Sequence, residues 1–249
     1  MLRDVQLTVG TVGTRRVFKR FLWLKPVQLK WRYLGPPTST PKGHNANSWA
    51  ANKRSNESHM PAPYWNITSV CWIVFWIYWS FGAPRRRPSK RKVARTFTVH
   101  NTGLLYLGFL LVWLGRSVPG SLGLLFVPQA IPIDVTGTVF AIIGVAFAIW
   151  SRQSLRNNWS GAVAITEGQQ FIHSGPYAIV RHPIYAGMLL ALLGTTLVSS
   201  TVGSLLGFVL AIISLWQKAY IEEQFLIVEF GEQYANYQRE VKFLIPFIY

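Results

Sequence analysis

Residues 182–217 read HPIYAGMLLALLGTTLVSSTVGSLLGFVLAIISLWQ, 36 positions without an Asp, Glu, Lys or Arg. As one helix the run would extend about 54 Å at 1.5 Å per residue, far beyond a hydrocarbon core about 30 Å thick. It must therefore fold back on itself. Ser199, Ser200, Thr201, Val202 and Gly203 supply the turn, giving an antiparallel helical hairpin over 185–200 and 203–220.

Three further charge-poor runs lie upstream. Trp65 to Ala83 reads WNITSVCWIVFWIYWSFGA, Thr96 to Gly115 spans 20 residues, and Val135 to Ser151 spans 17. Each approaches the roughly 20 residues that a membrane span needs. The expected fold is all-α, a polytopic membrane helix bundle of about five transmembrane helices. Composition agrees, because 50% of the 249 residues are hydrophobic and only 14% are charged, which is too apolar for an ordinary soluble domain. A single cysteine, Cys71, excludes a disulfide scaffold.

Arg85, Arg86, Arg87, Lys90, Arg91, Lys92 and Arg95 all fall between the first two spans, and short loops rich in Lys and Arg stay cytoplasmic. Threading the chain from there puts 116–134 and the turn near Ser200 outside, and 152–181 and 218–249 in the cytoplasm. The ionisable residues of the second half thus gather in one aqueous layer beside the membrane. Residues 1–59 carry 11 Lys/Arg against Asp4 and Glu57, and Gly35 to His59 is rich in Pro, Ser, Asn and Thr. They are expected to be a disordered basic extension, or to precede the true initiator at Met60. Residues 60–153 then form the N-terminal helices and 154–249 the functional core. The formal charge of +16 falls to +7 without residues 1–59, so basicity reflects topology and calls for no nucleic acid. The sequons at Asn56, Asn66 and Asn158 are weak signals, the last lying on the cytoplasmic side.

Chemistry-bearing residues concentrate around the hairpin. Before it come Gly175-Pro176-Tyr177 and Arg181-His182-Pro183-Ile184-Tyr185, where Pro183 forces the two preceding residues toward an extended conformation. After it come Lys218, Glu222 and Glu223, then Phe230-Gly231 with Tyr234 and Tyr237. On a helix Lys218 and Glu222 share a face. A hairpin brings its two cytoplasmic ends together, so Arg181, His182 and Tyr185 are expected beside Lys218, Glu222 and Glu223. Taken singly each residue has a bland reading. Arg181 and Lys218 are ordinary snorkelling cations, His182 a hydrogen-bonded structural residue, and the tyrosines an interfacial belt. The ordered set G-P-Y-x-x-x-R-H-P-x-Y, hairpin, E-E, F-G-x-x-Y-x-x-Y is improbable as decoration.

With these motifs the chain resembles the isoprenylcysteine carboxyl methyltransferase family, with phospholipid methyltransferases as wider relatives. The resemblance runs from Ser154 to Tyr249 and includes the ending V-K-F-L-I-P-F-I. It implies S-adenosylmethionine as cofactor, bound on the cytoplasmic side by Gln169, Gln170, Phe171, Ile172, Tyr177, His182, Pro183, Ile184, Tyr185 and Glu222. It implies an acceptor held at position 218, where the family usually has Arg and this chain has Lys218, a point charge in place of a planar fork. Lys218 and Arg181 are the candidate catalytic cations, and Lys218 the candidate for binding substrate.

A carboxylate is ionised at neutral pH, so its methylation needs no general base. What remains is in-line positioning, an effect worth roughly 7–11 kcal/mol, in a site that strips water from the nucleophile. A lipid tail would arrive laterally from the bilayer. The expected function is O-methylation of an isoprenylcysteine-like or other lipid-tailed carboxylate, on a small molecule or prenylated peptide. The alternatives are N-methylation of a phospholipid headgroup, which needs a free amine, and a non-catalytic membrane scaffold or carrier. The expected site is a multi-pass membrane protein of the inner membrane in a prokaryote or of the endoplasmic reticulum in a eukaryote, with the active site facing the cytoplasm. No G-x-G-x-x-G follows a strand, and His44, His59, His100, His173 and His182 are scattered, so no dinucleotide-type fold and no zinc site are expected.

Overall fold

The computed structural model describes residues 62–81, 89–92, 94–115, 117, 120–155, 164–166 and 170–245. The chain divides into two units, residues 1–53 and 54–249, and everything described belongs to the second. The expectations for residues 1–59, for Asn158 and for Gln169 lie outside the described residues.

Among the described residues six α-helices form the bundle: α1 (Ala62–Phe81), α2 (Arg95–Leu114), α3 (Ile131–Leu155), α4 (Pro183–Ser199), α5 (Val202–Phe230) and α6 (Glu232–Glu240). The class is all-α, as the charge-free runs imply. Two short strands, β1 (Ser89–Lys92) and β2 (Ala164–Thr166), pair antiparallel between the helices. This ribbon was not anticipated, because a basic tetrapeptide and a tripeptide are too short to show alternation.

The hairpin turn forms where the sequence places it. Ser200 ends α4 in the left-handed conformation at φ 55°, and Thr201 opens α5 with a capping box in which its side chain and that of Ser204 exchange hydrogen bonds with each other's backbone N–H. That exchange satisfies amide groups which water would otherwise have to reach. Pro183 sits at the start of α4, where a missing N–H costs nothing. Two helices outrun their expected spans. α5 continues beyond 220 to Phe230, because no Gly or Pro interrupts it until Gly231, at φ 54°. α3 likewise extends at both ends.

The hairpin partners are not each other's main neighbours. α3 packs most extensively on α4, and α2 on α5. Glycines make this possible. A methyl on Gly144 would overlap the backbone of Ala191 and Gly187, and one on Gly187 would overlap Gly144 and Ala148. The pairs Gly137 with Gly194 and Gly108 with Gly207 do the same, letting backbones approach closely as small residues do between membrane helices. Trp72, Phe75, Val112, Val145, Leu192 and Leu215 fill the core. The Trp72 indole N–H donates to Thr195 Oγ1 at 2.9 Å, tying α1 to α4.

Outward faces are as apolar as the core. Val70, Ile73, Val139, Ile143, Val209 and Ile213 are exposed, a surface that water would not tolerate but lipid would. By length and composition α2, α3 and α5 can each cross a membrane. α4 is apolar but has 17 residues. α1 is free of charge, and its tryptophans, tyrosines and Asn66 lower its hydropathy.

Candidate active site

The N-terminus of α4, the C-terminal part of α5, α6 and the tail after it converge at one end of the bundle. Gly175, at φ 64°, starts a single 3-10 turn through Ala178 that delivers Tyr177 inward. Residues 180–182 then run extended. Their partner is the tail: the Arg181 N–H donates to the Lys242 carbonyl at 2.8 Å and the His182 N–H to that of Phe243 at 3.2 Å. The extended stretch before Pro183 thus has a parallel backbone partner, Val180 bridging Lys242.

Glu222 and Glu223 are consecutive on α5, so they project about 100° apart around the helix and do different work. Glu223 is buried and accepts hydrogen bonds from Arg181 Nε at 2.6 Å, Gln238 Nε2 at 2.9 Å and Tyr234 Oη at 3.2 Å. Arg181 Nη2 adds a second bond to Glu223 Oε2 at 3.4 Å, and Nη1 donates to the carbonyls of Gln238 at 3.0 Å and Val241 at 2.7 Å, with the guanidinium over the Phe243 ring. This ion pair therefore joins the segment before α4, α5, α6 and the tail, and paired burial is the condition under which such charges persist.

Glu222 faces the other way and is less covered, its side chain 24% exposed. Its Oε1 accepts from Tyr185 Oη at 2.5 Å, and its Oε2 lies 3.7 Å from His182 Nδ1. His182 is buried between a parallel Tyr185 ring at 5.7 Å and the edge-on Phe243 ring at 5.1 Å. Its Nε2 lies 3.4 Å from Glu223 Oε1, without the alignment of a hydrogen bond. Lys218, one turn before Glu222, holds its ammonium 5.4 Å from the centre of the Tyr185 ring, a cation–π distance.

An aromatic wall completes this end. Phe171 meets Phe230, Tyr234 and Tyr237 within 6 Å of ring centres and stacks on His173. The Tyr237 hydroxyl donates to the Tyr177 carbonyl at 2.5 Å. Burial raises the Tyr177 phenol well above its ordinary pKa, with the Glu222 charge adding to it. Burial likewise raises Tyr234 and Tyr237. All three phenols therefore stay neutral at any physiological pH, and those of Tyr234 and Tyr237 donate, to Glu223 and to the Tyr177 carbonyl.

The structure brings Phe171, Tyr177, Arg181, His182, Pro183, Ile184, Tyr185, Lys218 and Glu222 to this end, with Ile172 half-buried beside them and Gln170 exposed on the loop. Glu223, Tyr234, Gln238 and Phe243 were not among the expected site residues. The E-E pair and the V-K-F tail signalled them only as motif, because their shared role is a contact between distant segments. Chemically, the partly exposed Glu222 carboxylate beside aromatic faces suits a cationic, hydroxyl-bearing group. Lys218, a turn away, suits an anion.

Comparison with known proteins supports the same region. Residues 133–233 match the family model "Phospholipid methyltransferase". Methanethiol S-methyltransferase of Pseudomonas deceptionensis is 41% identical over 70 residues, 28% of this chain and 26% of that one. Protein-S-isoprenylcysteine O-methyltransferase of Schizosaccharomyces pombe is 35% identical over 81 residues, 31% of this chain and 33% of that one. This chain spans about a quarter to a third of the length of these relatives. The solved eukaryotic intramembrane Ras methyltransferase, an isoprenylcysteine carboxyl methyltransferase, aligns with a TM-score of 0.43 at 20% identity, covering 64% of this chain and 55% of that one. Residues 133–233 are thus similar to the phospholipid methyltransferase family, and the resemblance to the isoprenylcysteine carboxyl methyltransferase family read from the motifs is borne out.

Proposed function

We propose that the protein is a multi-pass membrane methyltransferase that uses S-adenosylmethionine to methylate the carboxylate of a lipid-tailed acceptor, a small molecule or a prenylated peptide. The observation that carries this reading is the Tyr185–Glu222 hydrogen bond with Lys218 one turn away. It sets an anionic and a cationic group side by side where the hairpin leaves the bilayer. In this reading α1 to α5 all cross the membrane and the site faces the cytoplasm, the side on which the basic residues around β1 are retained.

The donor set suits the cofactor. Glu222 offers carboxylate lone pairs to hydroxyl and ammonium groups, Tyr185 fixes its orientation, and Phe171, Ile172 and Tyr177 give flat or apolar faces for a base. Pro183 and Ile184 complete the wall, and His182 is clamped behind it by Tyr185 and Phe243. Gln170 belongs to the same loop, and Gln169 precedes it in the chain. When bound, S-adenosylmethionine supplies an electrophilic methyl group on a sulfonium centre. Lys218 holds the acceptor anion ionised and in line, so no residue need remove a proton. Arg181, whose donors are used on Glu223 and two carbonyls, acts as a positioning residue.

A second reading rests on the methanethiol S-methyltransferases, similar over a comparable segment. There the acceptor is a thiol, and a neighbouring cation such as Lys218 would lower its pKa and favour the thiolate. An amine acceptor in a phospholipid headgroup gains nothing from that cation. The test is transfer of labelled methyl from S-adenosylmethionine to a farnesylcysteine analogue, to methanethiol and to phosphatidylethanolamine, with purified protein in lipid. Label on the farnesylcysteine analogue alone is expected. Label on either other acceptor alone overturns the carboxylate assignment, and no cofactor binding at all favours a non-catalytic scaffold or carrier.

A further inference from the structure

The most basic stretch of the described chain is hydrogen-bonded to the strand that leads into the proposed cofactor loop. β1 contains Lys90, Arg91 and Lys92, and Arg95 opens α2 just beyond it. β1 pairs with β2 in the register Ser89 with Thr166, Arg91 with Ile165 and Lys92 with Ala164. β2 lies against α5, the helix of Lys218 and Glu222. Thr166 is four residues before Gln170 in the chain.

Connectivity fixes which end of the bundle this is. β1 joins the C-terminus of α1 to the N-terminus of α2, and β2 joins the C-terminus of α3 to the N-terminus of α4. The ribbon therefore lies at the end where His182, Tyr185 and Glu222 meet. Retaining a loop on the cytoplasmic side needs only its positive charges. It does not need that loop to be paired with the segment preceding the active-site loop.

We propose that the ribbon is an anionic-lipid-binding element that tightens cofactor binding. Negatively charged phospholipid headgroups attract a juxtamembrane cluster of Lys and Arg. Holding β1 at the headgroup surface holds β2 through the ladder, and β2 limits the positions open to the 170–173 loop. A loop already restrained loses less freedom when the cofactor binds, so lipid and cofactor reinforce each other. The partner is the bilayer itself, chosen by charge complementarity and by the position of β1 between two membrane helices. The inference rests on the cofactor reading given above.

The test is S-adenosylmethionine affinity by calorimetry, with the full chain in nanodiscs of phosphatidylcholine alone or of equal parts phosphatidylcholine and phosphatidylglycerol. Binding about fivefold tighter in the mixed lipid is expected, the lower end of ordinary coupling between two sites, and high salt should erase the difference. The triple variant K90Q/R91Q/K92Q should bind equally in both lipids, with the affinity of the wild type in phosphatidylcholine. Ile165→Pro, which keeps every charge but breaks the ladder, should also lose the lipid effect. Equal wild-type affinity in the two lipids overturns the inference and leaves the cofactor reading intact. A lipid effect that survives in Ile165→Pro overturns the coupling through the ribbon. Absence of binding in both lipids overturns the cofactor reading, and the inference with it.

Discussion

Two adjacent glutamates carry different loads, and substitution should separate them. Glu223 is the buried partner of Arg181, so Glu223→Ala leaves a guanidinium without its counter-charge and should cost about 3 kcal/mol, measured as a lower melting temperature in detergent. Glu222→Ala removes a partly exposed carboxylate and should leave the melting temperature nearly unchanged while weakening S-adenosylmethionine binding. Lys218→Ala should preserve cofactor affinity and reduce acceptor turnover, and Lys218→Arg should restore it. Calorimetry and turnover on the same variants check this division, and equal effects of Glu222→Ala and Lys218→Ala on both quantities would contradict it. The sequence already placed Lys218 and Glu222 on one helical face, because a four-residue separation is a local property. It did not disclose that Glu223 is the hub, since its partners Arg181, Tyr234 and Gln238 come from three segments.

Helices α3 and α4 meet through glycines that leave no room for side chains. Gly187→Leu should therefore cost roughly 3 kcal/mol through overpacking and disturb Tyr185, half a turn away. Gly103→Ala on α2, where nothing lies within 4 Å of the added carbon, should be neutral or slightly stabilising. Thermal melts of the two variants give the comparison. α6 holds its own signature in alkali. Burial, and then the Glu223 charge, raises the Tyr234 phenol, and burial raises Tyr237. The folded state thus keeps protons that an unfolded chain would release near pH 10. Stability from these groups is complete below that pH and is lost as pH rises toward the folded-state values. A melting temperature that falls above about pH 10, less steeply in Tyr234→Phe, is the expected result. The helix starts were legible from Pro183 and Thr201, but not the ends of α3 and α5, where hydropathy stops before the helix does.

At the scale of the whole molecule, one end carries the ribbon, the extended 180–182 stretch and the charged groups, and the other carries the turn at Ser200. In a Cys71→Ser background, Ser174→Cys and Ser117→Cys should react with an impermeant maleimide from opposite sides of a sealed vesicle, Ser174 from the cytoplasmic side. Labelling of both from one side would break the proposed threading. Apolar runs of limited length, a break at Ser199 to Gly203 and a cluster of basic residues before α2 determined the helical class and the general location of the candidate site, because hydropathy, helix period and turn chemistry act over a few neighbouring residues. Only the tertiary structure decided that α3 packs on α4 and α2 on α5, that Arg181 serves the frame, that the tail at Lys242 and Phe243 clamps His182, and that β1 pairs with β2. Each of these joins segments far apart in the chain, and such pairings depend on which surfaces fit once the helices are assembled, a property no local stretch of residues contains.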